Sequence, residues 1–73
     1  AALAHYQQCL SLRQQLQEAN PNSAEAARDV SVSLNKLADF LSKRGQPGDA
    51  EAALAHYRQG LNIAQQLREA NPN

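Results

Sequence analysis

Apolar residues recur every three or four positions in three stretches of the chain, the spacing of one face of an α-helix. In the first stretch Leu3, Tyr6, Leu10 and Leu16 align with Ala2 and Ala19, and Pro21 ends the run because a residue before proline is pushed out of the helical region. In the second, Val30, Leu34, Leu37, Ala38 and Leu41 form one stripe, and Asn22 with Glu25 three residues later reads as a capping box. Gly45-Gln46-Pro47-Gly48 breaks the helix, and Asp49 is placed to cap a third segment that stops before Pro72. The pattern predicts helices over residues 2–19, 24–44 and 50–70 of a single unit, 1–73. At 1.5 Å per residue, helices of about 20 residues are roughly 30 Å long, and their short connections make neighbours antiparallel.

The chain repeats itself. Residues 1–22, AALAHYQQCLSLRQQLQEANPN, match residues 52–73, AALAHYRQGLNIAQQLREANPN, at 16 of 22 positions with an offset of 51. The differences are Gln7/Arg58, Cys9/Gly60, Ser11/Asn62, Leu12/Ile63, Arg13/Ala64 and Gln17/Arg68, so the apolar frame is kept. One unit is a helix pair of 51 residues, and three helices make about one and a half repeats. A helix pair cannot bury both of its apolar faces alone, so it needs a neighbour on each side, which is the logic of an α-solenoid. The expected fold class is therefore all-α, an antiparallel helix-turn-helix repeat. The opening and closing helices each lack one neighbour, which predicts self-association of a chain of this extent. A chain that starts without Met and in mid-pattern is also what a piece of a longer protein would show.

These residues resemble the tetratricopeptide repeat family. Leu34, Leu37-Ala38 and Leu41 look like the large, large-small and large positions of its first helix, and Ala53, Tyr57 and Gly60 like the small, aromatic and small positions of its second. Ala2, Tyr6 and Cys9 hold the same places in the truncated copy. The family unit is about 34 residues, so the likeness is to a long-helix variant with a 51-residue unit. The resemblance implies an interaction scaffold without enzymatic activity, whose first helices present a groove to a partner protein or peptide. Carried over by position, Asn35, Lys36, Asp39, Ser42 and Lys43 are the groove candidates. By the same family reading, Tyr57 fills the space between helices and belongs with Leu37 in the core. The alternative is a structural module whose partner is its own kind.

Composition narrows the remaining chemistry. Lys plus Arg and Asp plus Glu number seven each, so nothing draws the chain to nucleic acid or to an anionic membrane surface. No apolar run reaches the roughly 20 residues needed to span a bilayer. The lone Cys9 excludes an internal disulfide, which points to a reducing, cytoplasmic setting. His5 and Cys9 stand four apart on one helical face, a spacing compatible with zinc, but the second copy reads His56 and Gly60 and no further pair completes a ligand set. No metal or cofactor is expected. Ser31, Ser33 and Ser42 lack a base held by a third group, so no catalytic residues are assigned. Glu25/Arg28 and Asp39/Lys43 are spaced as exposed helical ion pairs, and the nine glutamines read as solvated helix formers.

Overall fold

The computed structural model describes residues 2–70. It consists of α1 (Ala2–Ala19), α2 (Ala24–Arg44) and α3 (Asp49–Ala70), so the described chain is 88% helical and has no strand. These limits match the predicted segments to within one residue; the expected stop at Pro72 lies outside the described residues.

Two of the caps differ from expectation. Ser23, not Asn22, caps α2: its backbone is extended and its Oγ accepts from the Ala26 N–H at 3.1 Å. The proline at position 21 and the turn after it displace Asn22 from the capping place. At the start of α3 the Gly48 carbonyl accepts the first helical bond, from the Ala52 N–H at 3.1 Å, so Gly48 rather than Asp49 holds the cap position. Asp49 turns back instead. Its carboxylate takes both the Nε and an Nη of Arg44, each at 2.8 Å, and the Gln46 N–H at 3.0 Å. Arg44 holds the Asp49 carboxyl below the usual carboxylate range, with the Gln46 amide adding to the effect. Gly45 closes α2 at φ 65°, a left-handed conformation that an L side chain resists, and its N–H returns to the Leu41 carbonyl. Arg44 also lies over the Phe40 ring, so one side chain ties the end of α2 to the start of α3.

Both outer helices run antiparallel to α2. The rings of Tyr6 and Phe40 meet at a tilt of 42°, while Arg13, about two helical turns further on, donates to Ser33 Oγ at 2.7 Å and to the Asp29 carbonyl at 3.3 Å. On the other flank Ser31 donates to the Gly60 carbonyl at 3.3 Å, whereas Arg44 meets Asp49. α2 is thus the centre, and no Cα of α1 comes within 8 Å of a Cα of α3 among the described residues. The core is Val30, Leu34, Leu37, Ala38 and Leu41 of α2 with Leu10 and Ala53, bordered by Leu3, Tyr6, Phe40, Ala52 and Ile63. Gly60 is where α3 closes on α2: a Cβ there would stand 3.1 Å from Asn35 Oδ1.

Tyr57 is not a core residue. It is 37% exposed, and its hydroxyl reaches along the surface to Asp39. Leu37 is 2% exposed, as expected of the centre of the stripe. Leu37→Ala will destabilise the chain by about 2–5 kcal/mol, through lost transfer energy and the cavity left behind, measured by urea unfolding followed at 222 nm.

Candidate interaction face

Asn35, Lys36, Asp39, Ser42 and Lys43 are all exposed and lie on the side of α2 away from its core. At about 100° per residue they fit within roughly a third of the helix circumference. Arg28 and Val32 extend the same face toward the start of α2. Val32 is 39% exposed, an apolar spot in an otherwise polar strip. The two edges of the strip differ. Asn35 borders α3, with its Oδ1 beside Gly60. Lys36 borders α1, at the rim of a small hollow that also contains His5, Tyr6, Cys9, Arg13 and Ser33.

Asp39 is engaged within the chain, since it accepts from the Tyr57 hydroxyl rather than pairing with Lys43. Its carboxylate and partial burial raise the Tyr57 phenol above its ordinary value. Among the described residues Arg28, Lys36 and Lys43 therefore form no ion pair, while the acid between them is drawn toward α3. The ion pair of the described structure is Arg44 with Asp49; neither of the helical pairs foreseen from spacing takes that form.

Cys9 Sγ lies 3.8 Å from His5 Nε2, a contact at the helix surface. Among the described residues no third His, Cys, Asp or Glu joins them as a possible metal ligand. No helix of the described residues is long and apolar enough to cross a membrane.

A second feature was hidden from periodicity alone. α1 turns Leu3, Tyr6, Leu10, Arg13 and Gln17 toward α2, whereas α3 turns Ala53, His56, Gly60, Ile63 and Leu67. Subtracting 51, the α3 set corresponds to Ala2, His5, Cys9, Leu12 and Leu16, one residue earlier at every place. The repeated helix thus packs on α2 through two faces about 100° apart. The large apolar residues left exposed follow from this. Leu12 (61%) and Leu16 (59%) on α1 are the counterparts of Ile63 and Leu67, which α3 turns inward. Leu54 (50%), Tyr57 (37%) and Leu61 (60%) on α3 are the counterparts of Leu3, Tyr6 and Leu10, which α1 packs on the core.

No family model, no curated protein and no solved structure matches the chain.

The Tyr57–Asp39 bond has a readable consequence. The raised phenol means that the bond's contribution is complete below pH about 10 and is lost as pH rises through the folded-state value. In a Tyr6→Phe background, absorbance titration at 295 nm will show Tyr57 ionising above pH about 10, and Asp39→Asn will bring the midpoint down toward that value.

Proposed function

We propose that the chain is a protein-interaction scaffold of stacked helix pairs, similar to the tetratricopeptide repeat in a long-helix form, and that the outer strip of α2 is its ligand face. The observation that carries the stacked-pair part is the one-residue offset between the α1 and α3 packing faces, because a helix with two apolar faces is what an element between two neighbours requires. The shape agrees. A surface of 5311 Å² exceeds the about 4,400 Å² expected of a rounded monomer of 7.9 kDa. The strip on α2 supports the ligand part: three cations and an exposed valine on a rigid helix suit an extended peptide carrying acidic and small apolar side chains. Nothing in this reading calls for a reaction or a cofactor.

Selection of a displayed random-peptide library on the whole chain tests the ligand face. Enriched sequences will be acidic, and the triple substitution Arg28→Ala, Lys36→Ala, Lys43→Ala will weaken their binding at least about tenfold, some 1.4 kcal/mol. Peptides that bind the triple variant equally well would move the ligand face elsewhere.

The second reading is a self-assembling structural module, favoured by the exposed Leu12, Leu16, Leu54 and Leu61. Apolar burial is worth roughly 25 cal/mol per Å², so a few hundred Å² per chain offers several kcal/mol before association entropy is subtracted. On this reading, sedimentation equilibrium at about 100 μM gives a mass above that of one chain. A monomer mass at that concentration rejects it.

A further inference from the structure

We infer that the hollow between α1 and α2 is a binding site for a phosphate monoester, with Arg13 and Lys36 supplying its charge. Because Lys36 also belongs to the α2 strip, the inference rests on the reading of that strip as the ligand face, and it gives the peptide ligand a phosphorylated side chain.

Arg13 carries the argument. Its Nη1 makes two hydrogen bonds, both to neutral acceptors: the Ser33 hydroxyl at 2.7 Å and the Asp29 carbonyl at 3.3 Å. Ser33 is 5% exposed, so one anchor of the arginine lies at the edge of the core. These bonds fix the guanidinium in place without cancelling its charge. Nε and the second Nη have no hydrogen-bond partner, and Arg13 forms no ion pair, among the described residues. Arg44 shows the contrast: it too ties two helices together, but through a carboxylate that takes up its charge. A pre-positioned guanidinium with unused N–H groups is what bidentate recognition of an oxyanion requires.

The rest of the lining points the same way. Lys36 stands at the rim, and His5 and Tyr6 add groups able to donate hydrogen bonds. No Asp or Glu lines the hollow. Asp29 meets Arg13 through its backbone carbonyl, and Asp39 is held on the α3 side by the Tyr57 hydroxyl. Two uncompensated cations, one from each helix, match a phosphate monoester, which carries about −1.5 to −2 near neutral pH and presents three acceptor oxygens. A carboxylate would neutralise only one of them.

The size decides what enters. The hollow holds about 120 Å³, well below the roughly 300 Å³ at which pockets begin to enclose a whole small molecule. It therefore takes one functional group, and the remainder of the ligand lies outside it. At Lys36 the rim meets the α2 strip, so the group is a side chain of a peptide lying along that strip. The site is also particular to α1. Two of the six differences between the copies, Cys9/Gly60 and Arg13/Ala64, fall on this lining, and the α3 counterpart has no arginine to fix.

The test uses the whole chain, isotopically labelled, with three probes at matched ionic strength: inorganic phosphate, an otherwise uncharged peptide bearing one phosphoserine, and the same peptide without the phosphate. The phosphopeptide should give saturable shifts at the amides of Cys9, Arg13 and Lys36 and at the Arg13 Nε–H. Inorganic phosphate should shift the same signals but bind at least about tenfold more weakly, and the unphosphorylated peptide should shift none. Lys36→Gln, at an exposed position outside the core, should weaken the phosphopeptide at least about tenfold, as should Arg13→Gln. Should Arg13→Gln lose its helical signal at 222 nm, Lys36→Gln alone decides. Absence of shifts at the hollow with tens of millimolar phosphate and millimolar phosphopeptide, or equal binding by Lys36→Gln, would overturn the site. A glutamate in place of the phosphoserine binding as tightly would overturn it as a phosphate site, and inorganic phosphate binding as tightly as the peptide would overturn the peptide as its source. The two readings fail separately. Arg13→Gln leaves the strip intact and Arg28→Ala with Lys43→Ala leaves the hollow intact, so acidic peptides lost only to the second pair would keep the strip as ligand face without the hollow.

Discussion

Everything in this molecule depends on the burial of one helix. α2 carries Val30, Leu34, Leu37, Ala38 and Leu41 on a stripe too wide for a single neighbour to cover, and two helices close on it from either side. Fully burying a leucine or valine side chain is worth about 1.5–3 kcal/mol, so the stripe is the main favourable term available to so short a chain. The outer helices contribute less to the core than they take from it. α1 gives Leu10 and α3 gives Ala53 to the fully covered set, and both would be largely unsupported without α2.

Because the two outer helices are nearly the same sequence, a single α2 must tell them apart. The six differing positions contain the means. Gly60 lets α3 approach until Ser31 bonds the Gly60 carbonyl, while Cys9 stays at the rim of the α1 contact. Arg13 crosses to Ser33 and to the carbonyl of Asp29, where Ala64 has nothing to offer. Ser33 is itself 5% exposed, so the arginine satisfies a hydroxyl that would otherwise be buried unpaired on that flank. Exchanging the two helices would crowd one side and leave that hydroxyl without its donor on the other. The α2–α3 loop fixes the same choice covalently, with Arg44 and Asp49 locked across the turn.

How much of this was legible in the sequence follows from what each signal measures. Period and punctuation report local backbone preference, so the three helices and their ends were readable to within one residue. They do not report which of two adjacent faces meets a neighbour. Tyr57 was assigned to the core by the family position it shares, yet the flank it would fill has no helix on it, and Tyr57 turns along the surface to Asp39. The caps were misplaced for a related reason. Asn22, Ser23 and Asp49 are all good capping residues, and the choice among them was made by the turn after Pro21 and by the Arg44 guanidinium, both matters of geometry beyond the pattern. The five strip residues on α2, grouped by the family positions they share, all lie on one exposed face of the helix. The engagement of Asp39 by α3 was not visible, since it joins residues 18 apart in sequence.

The fold divides its surface by chemistry. Polar and charged groups collect on the outside of α2, and the furrow between α1 and α3 over Val30 and Leu34 is walled by Gln14, Gln17, Gln59, Asn62 and Gln66. Exposed leucines collect instead on the outer flanks of α1 and α3. That separation has a physical consequence for binding. The flanks offer wide apolar area and few hydrogen bonds. The α2 strip offers charge and direction with little area, and charge of that kind acts on rates of approach more than on strength of binding. Substitution at Lys36 or Lys43, both exposed and outside the buried set, therefore changes the charge of the strip without disturbing the contacts that hold the helices together.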